Sequence, residues 1–304
     1  MSGATLLPDF RPHFANIEGV RTRWFAGGAG PPLILVHGLG GAAVNFTELA
    51  PLLARRRRVV VPDLPGHGRS APFRREVDLD DYAAHVAAVA EREDALAAPV
   101  LGYSMGAVVA LRLAVARPRD VTGLVLVAAA GIVSATRRAE LFVALTGLLK
   151  PARVASVFRR QFAVRPRLRH VPFGYWGAVR PSALSPAAVL GFLEGPSQHT
   201  DVGAAGRALV RDDPRPDLDR VTCPVLLVWG ARDRLVPLRD GFEYARRLRA
   251  PIRALPAAGH LVVGEQPGAV AALVGEFLDG VGQVDELPLD AELLGELRRQ
   301  RTDA

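Results

Sequence analysis

The feature that most narrows the fold of this chain is a series of short apolar runs at residues 33–36, 59–61, 100–103, 124–128, 225–229 and 252–255. Runs this short, without strict alternation, fit strands covered on both faces, and helical patterns between them make the repeat of a parallel sheet. The helices expected are 45–54, 80–97, 105–117, 238–250 and 266–280, with Asp80-Asp81 and Ser104 where helix N-termini want acceptors. Ahead of them, residues 13–28 read as an antiparallel strand pair, with Phe14 and Ile17 before Glu18-Gly19 and then alternating Val20, Thr22 and Trp24. The fold class expected is α/β, a mostly parallel sheet flanked by helices.

One gap breaks the rhythm. Between the runs at 124–128 and 225–229 lie about 90 residues without a buried-strand pattern, far beyond a loop between strand and helix. An inserted helical lid accounts for it. Thr136 caps a first amphipathic stripe of Leu141, Phe142, Leu145, Leu148 and Leu149, and Val154, Val157, Phe158 and Phe162 form a second. Ser185-Pro186 and Thr200-Asp201 read as further helix starts. The division expected is a core of residues 1–130 and 221–280, a helical lid of 131–220 and a C-terminal helical extension of 281–304. In that extension Leu293, Leu294 and Leu297 recur at helical spacing.

Composition excludes several classes. With 304 residues, 49% hydrophobic and 23% charged, the chain is neither disordered nor a disulfide scaffold. Its single cysteine, Cys223, rules out an internal disulfide and reads as a buried, inert thiol, and no Cys and His cluster offers a zinc site. Residues 1–10 carry Pro8 and Asp9 where a secretory leader needs a basic start and a long apolar run, which points to a cytoplasmic protein. The uncharged stretches 95–111 and 121–136 fall short of a membrane span and are interrupted by Pro or Gly.

The residues that carry chemistry start at Gly102-Tyr103-Ser104-Met105-Gly106, a G-x-S-x-G directly after a buried run and directly before a helical pattern. A serine on such a strand-to-helix turn is forced into a strained backbone, so close neighbours must be glycine, and its Oγ stands above the sheet. Serine is a poor nucleophile without a base and an acid to orient that base. His260 follows the last apolar run in Ala258-Gly259-His260, and Asp233 follows the one before it in Trp229-Gly230-Ala231-Arg232-Asp233. Both lie at the C-terminal edge where parallel sheets assemble their sites, in the order Ser104, Asp233, His260. His37-Gly38-Leu39-Gly40-Gly41 follows the first run, and its glycines let the Leu39 N–H pair with that of Met105 as an oxyanion hole.

On these motifs, together with Pro62-Asp63-Leu64-Pro65-Gly66-His67-Gly68-Arg69-Ser70, the chain resembles the α/β-hydrolase superfamily, and within it the lid-bearing esterase and lipase-like branch. The resemblance runs from about Phe14 to Gly280. It implies an eight-stranded sheet with the second strand antiparallel, triad roles for Ser104, Asp233 and His260, and a substrate pocket roofed by the lid. It makes Asp63 and His67 structural. Dehalogenases and epoxide hydrolases of the superfamily carry aspartate where Ser104 stands. Some members take the acid from the loop before the lid, but residues 128–134 hold no carboxylate.

The activity expected is hydrolysis of a hydrophobic carboxylic ester through an acyl-enzyme, with no metal or organic cofactor. Carbon–carbon bond hydrolysis, acyl transfer and a non-catalytic ligand-binding role remain open beside it. Phe173, Tyr175 and Trp176 add to the apolar lining expected of the lid.

Charge adds one expectation. The chain carries 38 basic and 31 acidic residues, a net +7, almost all of the basic ones arginine. Residues 131–180 hold ten of these cations, Arg137, Arg138, Lys150, Arg153, Arg159, Arg160, Arg165, Arg167, Arg169 and Arg180, against the single acid Glu140. That local excess of nine leaves the rest of the chain at −2, which excludes a nucleic-acid footprint spread over the protein. The basic lid is instead either a solvated arginine face or one that meets an anionic lipid surface or steers an acidic substrate.

Overall fold

The computed structural model describes residues 6–132, 151–174, 177–198 and 202–280. Its centre is one eight-stranded sheet made of β1 (Arg11–Ile17), β2 (Val20–Gly27), β3 (Pro32–Val36), β4 (Arg58–Pro62), β5 (Ala98–Tyr103), β6 (Val121–Val127), β7 (Val225–Gly230) and β8 (Ile252–Leu255). The order across the sheet is β1-β2-β4-β3-β5-β6-β7-β8. Only β2 runs against its neighbours, pairing antiparallel with β1 and β4. β3 to β8 pair in parallel, as the apolar runs predict.

Side chains alternate between two buried layers. Ile34, Val36, Val60, Val100, Leu124, Leu126, Leu227 and Trp229 point to the layer shared with helices Leu79–Arg92, Met105–Ala116 and Leu238–Leu248. Leu33, Leu35, Val59, Val61, Leu101, Val125, Leu226 and Val228 point to the layer shared with Phe46, Leu49, Leu53 and helix Pro267–Gly280. Covering both faces explains why the runs lack alternation. Each of these side chains contributes about 1.5–3 kcal/mol by leaving water.

Local differences from the expected elements have local causes. The helix expected at 45–54 is two short pieces, a 3₁₀ turn at Ala43–Phe46 and a helix at Ala50–Leu53. Pro51 can stand only in the first turn of a helix, so the second piece starts at Ala50, one residue before it. Asp78, not Asp80, caps helix Leu79–Arg92: the Asp81 N–H donates to the Asp78 carboxylate at 3.0 Å, and the Asp78 N–H donates back to Asp81 at 3.1 Å. Cys223 is half-buried rather than buried, and burial pushes its thiol up to about 11, so it stays protonated at neutral pH.

Between β6 and β7 the described residues are helical, with Pro151–Val157, Arg159–Val164, His170–Phe173, Pro186–Gln198 and Gly203–Arg211. The stripe expected as one helix through Phe162 is broken at Phe158, and of its four apolar residues only Phe162 is buried. Phe162, Phe173, Leu184, Val189 and Leu193 form a small core of their own that packs on Leu261. Ser185 starts helix Pro186–Gln198 by accepting from the Ala188 N–H at 2.9 Å. The first lid stripe at 141–149 with its Thr136 cap, Tyr175, Trp176, Thr200-Asp201 and the leucines of 281–304 lie outside the described residues. Among the described residues no helix is long and apolar enough to cross a membrane.

Candidate active site

Ser104 sits between β5 and helix Met105–Ala116 with φ 56° and ψ −120°, a backbone that a side-chain-bearing residue adopts only under constraint. The constraint comes from both sides. The Ser104 N–H donates to the Val127 carbonyl at 2.9 Å, while its carbonyl accepts from Ala107 at 3.0 Å and from Ala130 at 3.2 Å. Close packing fixes the flanking residues as glycine: a Cβ on Gly102 would lie 2.3 Å from the Gly106 carbonyl oxygen, and one on Gly106 would lie 2.2 Å from that of Val36. The sequence expectation for this turn holds residue by residue.

The other two predicted residues meet it. His260 Nε2 lies 3.1 Å from Ser104 Oγ, and His260 Nδ1 lies 2.8 Å from Asp233 Oδ2. A carboxylate only accepts, so Nδ1 carries the proton and Nε2 is left to accept from the serine hydroxyl. Asp233 is itself fixed, since its Oδ1 accepts from the Leu235 and Val236 N–H groups, each at 2.8 Å. The imidazole and the carboxylate are almost fully buried, so water does not compete for this hydrogen bond.

The glycine loop after β3 closes on the serine. A Cβ on Gly38 would fall 2.9 Å from Ser104 Cβ, so only glycine lets the loop approach this near. Leu39 is the next residue of that loop, and Met105 is the first of its helix, where N–H groups lack intrahelical partners. The helix dipole adds positive potential at the same point.

Asp63 and the two histidines near it brace this loop. The buried Asp63 carboxylate accepts from Arg23 Nε at 2.6 Å, from the Ala43 N–H at 2.8 Å and from the Arg69 N–H at 2.9 Å. His37 accepts the Leu64 N–H on Nε2 at 3.0 Å, which leaves Nδ1 to donate to the Gly38 carbonyl at 2.8 Å. His67 packs against His37 with ring centroids 5.2 Å apart, and burial, with His37 a smaller contributor, lowers it to about 3.

Three residues near the site, of which only Tyr103 lies within a motif, have roles that sequence reading misses. Glu265 accepts from the Gly259 N–H and the Val179 N–H, each at 2.7 Å, so one carboxylate ties the His260 loop to the segment between β6 and β7. Burial raises its pKa, against backbone donors that lower it. The Tyr103 hydroxyl donates to the His260 carbonyl at 3.0 Å. Asn45 accepts from the Ala42 N–H at 3.2 Å and donates to the Gly191 carbonyl at 3.0 Å, linking the glycine loop to helix Pro186–Gln198. The only hint in the sequence is that Glu265 follows His260 within one helical turn of a helix start.

Comparison with known proteins agrees with this architecture. Residues 33–273 match the profile of a family described as the alpha/beta hydrolase family. The chain is 34% identical over 261 residues to the dihydrolipoyllysine-residue acetyltransferase component of the acetoin cleaving system of Pseudomonas putida, covering 83% of this chain and 65% of that one. It thus spans less than two thirds of that relative. It is 33% identical over 262 residues to a pimeloyl-[acyl-carrier protein] methyl ester esterase of Neisseria meningitidis, covering 81% of this chain and 93% of that one. Among solved structures, a bacterial membrane phospholipase A shares its fold with a TM-score of 0.72 at 24% identity, over 91% of this chain and 88% of the other.

Proposed function

The chain belongs to the alpha/beta hydrolase family, and from that premise we propose that it is a serine hydrolase that cleaves a hydrophobic carboxylic ester through an acyl-enzyme. The observation that carries this reading is the run of contacts from Ser104 Oγ through His260 to Asp233, at 3.1 and 2.8 Å. His260 takes the hydroxyl proton as Ser104 attacks the ester carbonyl, and Asp233 holds the tautomer and stabilises the imidazolium that forms. The Leu39 and Met105 N–H groups receive the developing oxyanion. His260 then returns the proton to the leaving alcohol, and water, deprotonated by the same ring, resolves the acyl-enzyme. The segment 131–220 acts as a lid over the site, its described part tied there through Glu265 and Asn45 and through the small core of Phe173 and Leu184 packed on Leu261.

The esterase from Neisseria meningitidis supports ester cleavage, since it is similar over most of both chains. Likeness to an acetyltransferase component keeps acyl transfer as the second reading, in which an acceptor other than water takes the acyl group. Product analysis with and without a thiol or alcohol acceptor separates the two.

A fluorophosphonate probe tests the shared step. One label per chain is expected, on Ser104, and Ser104→Ala should neither label nor turn over a chromogenic ester while keeping the native circular dichroism spectrum. A wild-type chain that does not label, or labels elsewhere, would falsify the assignment.

A further inference from the structure

Exposed apolar side chains are concentrated in one place. Of the seven large apolar residues that stand exposed among the described residues, six lie within residues 154–171: Val154, Val157, Phe158, Val164, Leu168 and Val171, four of them at 60% or more. Patches of this kind on a folded chain mark an interaction surface. The seventh, Phe14, is stacked under Arg21 at 5.1 Å and belongs to the β1–β2 hairpin.

Charge identifies the partner. Exposed Arg160, Arg165 and Arg167 alternate with these apolar residues, and residues 151–184 contain no Asp or Glu. Among the described residues no carboxylate pairs with these three. The neighbouring arginines are spent differently, Arg159 on Glu194 at 3.0 Å and Arg169 on backbone carbonyls including Phe162 and Ser182. Elsewhere surface arginines pair with acids, as Arg75 does with Asp81, Arg215 with Asp213 and Arg246 with Glu243. A second copy of this chain would set arginine against arginine, and nucleic acid would leave the bare aliphatic groups unused. An interface with an apolar interior and an anionic surface satisfies both components, with Arg stems lying along the acyl boundary and guanidinium groups at the headgroups.

We propose that residues 154–171 dock on an anionic phospholipid bilayer. The same segment turns Phe162 inward into the small core that also holds Phe173 and Leu261, next to His260, so the docked surface adjoins the candidate site. The observations that carry this are independent of the hydrolase reading.

Co-sedimentation of the full chain with phosphatidylcholine vesicles, with and without 30% phosphatidylglycerol, tests it. Binding is expected to the anionic vesicles alone, weakening at high salt. The triple variant R160E/R165E/R167E should bind about a hundredfold more weakly. V157S/F158S/V164S/V171S should lose at least tenfold, with circular dichroism and melting temperature unchanged in both variants. Equal binding to both vesicle types, no binding to either, or a charge variant that binds like the wild type would overturn the proposal. An apolar variant that binds like the wild type would overturn it too, leaving only diffuse charge attraction.

Discussion

Ser104 holds a φ of 56° because the carbonyls and amides around it leave no relaxed alternative, and that strain lifts its Oγ toward His260. Asp233 does comparable work by accepting three hydrogen bonds, two from backbone, so its free oxygen has one orientation available to the imidazole. Asp233→Asn should therefore reduce kcat for an ester by about 10³- to 10⁴-fold, because the amide forces the wrong tautomer. Steady-state kinetics checks this, and a loss below about tenfold would assign the role to another acid. Glu265 acts one step further out, as a positioning residue. In Glu265→Gln one amide N–H group would face a backbone donor, loosening Gly259 or Val179. An expected fall of about tenfold or more in kcat, with KM moving less than about threefold, would distinguish positioning of His260 from packing of the segment that carries Val179. A change confined to KM or melting temperature would count against it.

At the scale of elements, the elbow turn, the glycine loop and the two loops after β7 and β8 meet because β3, β5, β7 and β8 end at the same edge of one sheet. Helix Pro186–Gln198 approaches that edge through glycine: a Cβ on Gly191 would lie 2.4 Å from the Val44 carbonyl oxygen, and one on Gly195 would lie 2.8 Å from Gly41. Gly191→Val should push the helix off the glycine loop, cost about 1–3 kcal/mol and lower ester turnover. Gly275→Ala is the matched control, since nothing lies within 4 Å of its Cβ position in helix Pro267–Gly280 and it should gain up to about 1 kcal/mol. Urea unfolding of the two variants measures both shifts, and like signs would refute the packing argument. Glycine at 191 cannot be interpreted from sequence, because the backbone it meets is almost 150 residues away.

For the whole molecule, two buried imidazoles pull stability down in acid, against the opposite pull of the Asp212 carboxyl, which burial raises to about 6. Burial holds His67 at about 3 and His85 at about 4, against 6.5 for the free ring. Below pH 6.5 the unfolded chain takes up protons that the folded chain refuses, so stability falls as pH drops from 6.5 toward 4. Each ring accounts for at most about 1.4 kcal/mol per pH unit in that window, and their contribution is constant above it. Urea unfolding at pH 7, 6 and 5 should show the net decline, and a flat or rising profile would overturn the assignment of two neutral rings to the native state. By itself the sequence determined the sheet, whose buried strands write themselves as apolar runs, and the three residues of the candidate triad, each announced by its position after a run. It also located the excess positive charge. Tertiary structure alone decided which backbone groups anchor the site, through Glu265, Tyr103 and Asn45, because a side chain that bonds to a distant amide leaves no periodicity to read. It also decided that the second stripe of 131–220 breaks at Phe158 and that all of its apolar residues but Phe162 stand outward. An amphipathic pattern records that a face is apolar, and only the packed fold determines whether that face is covered.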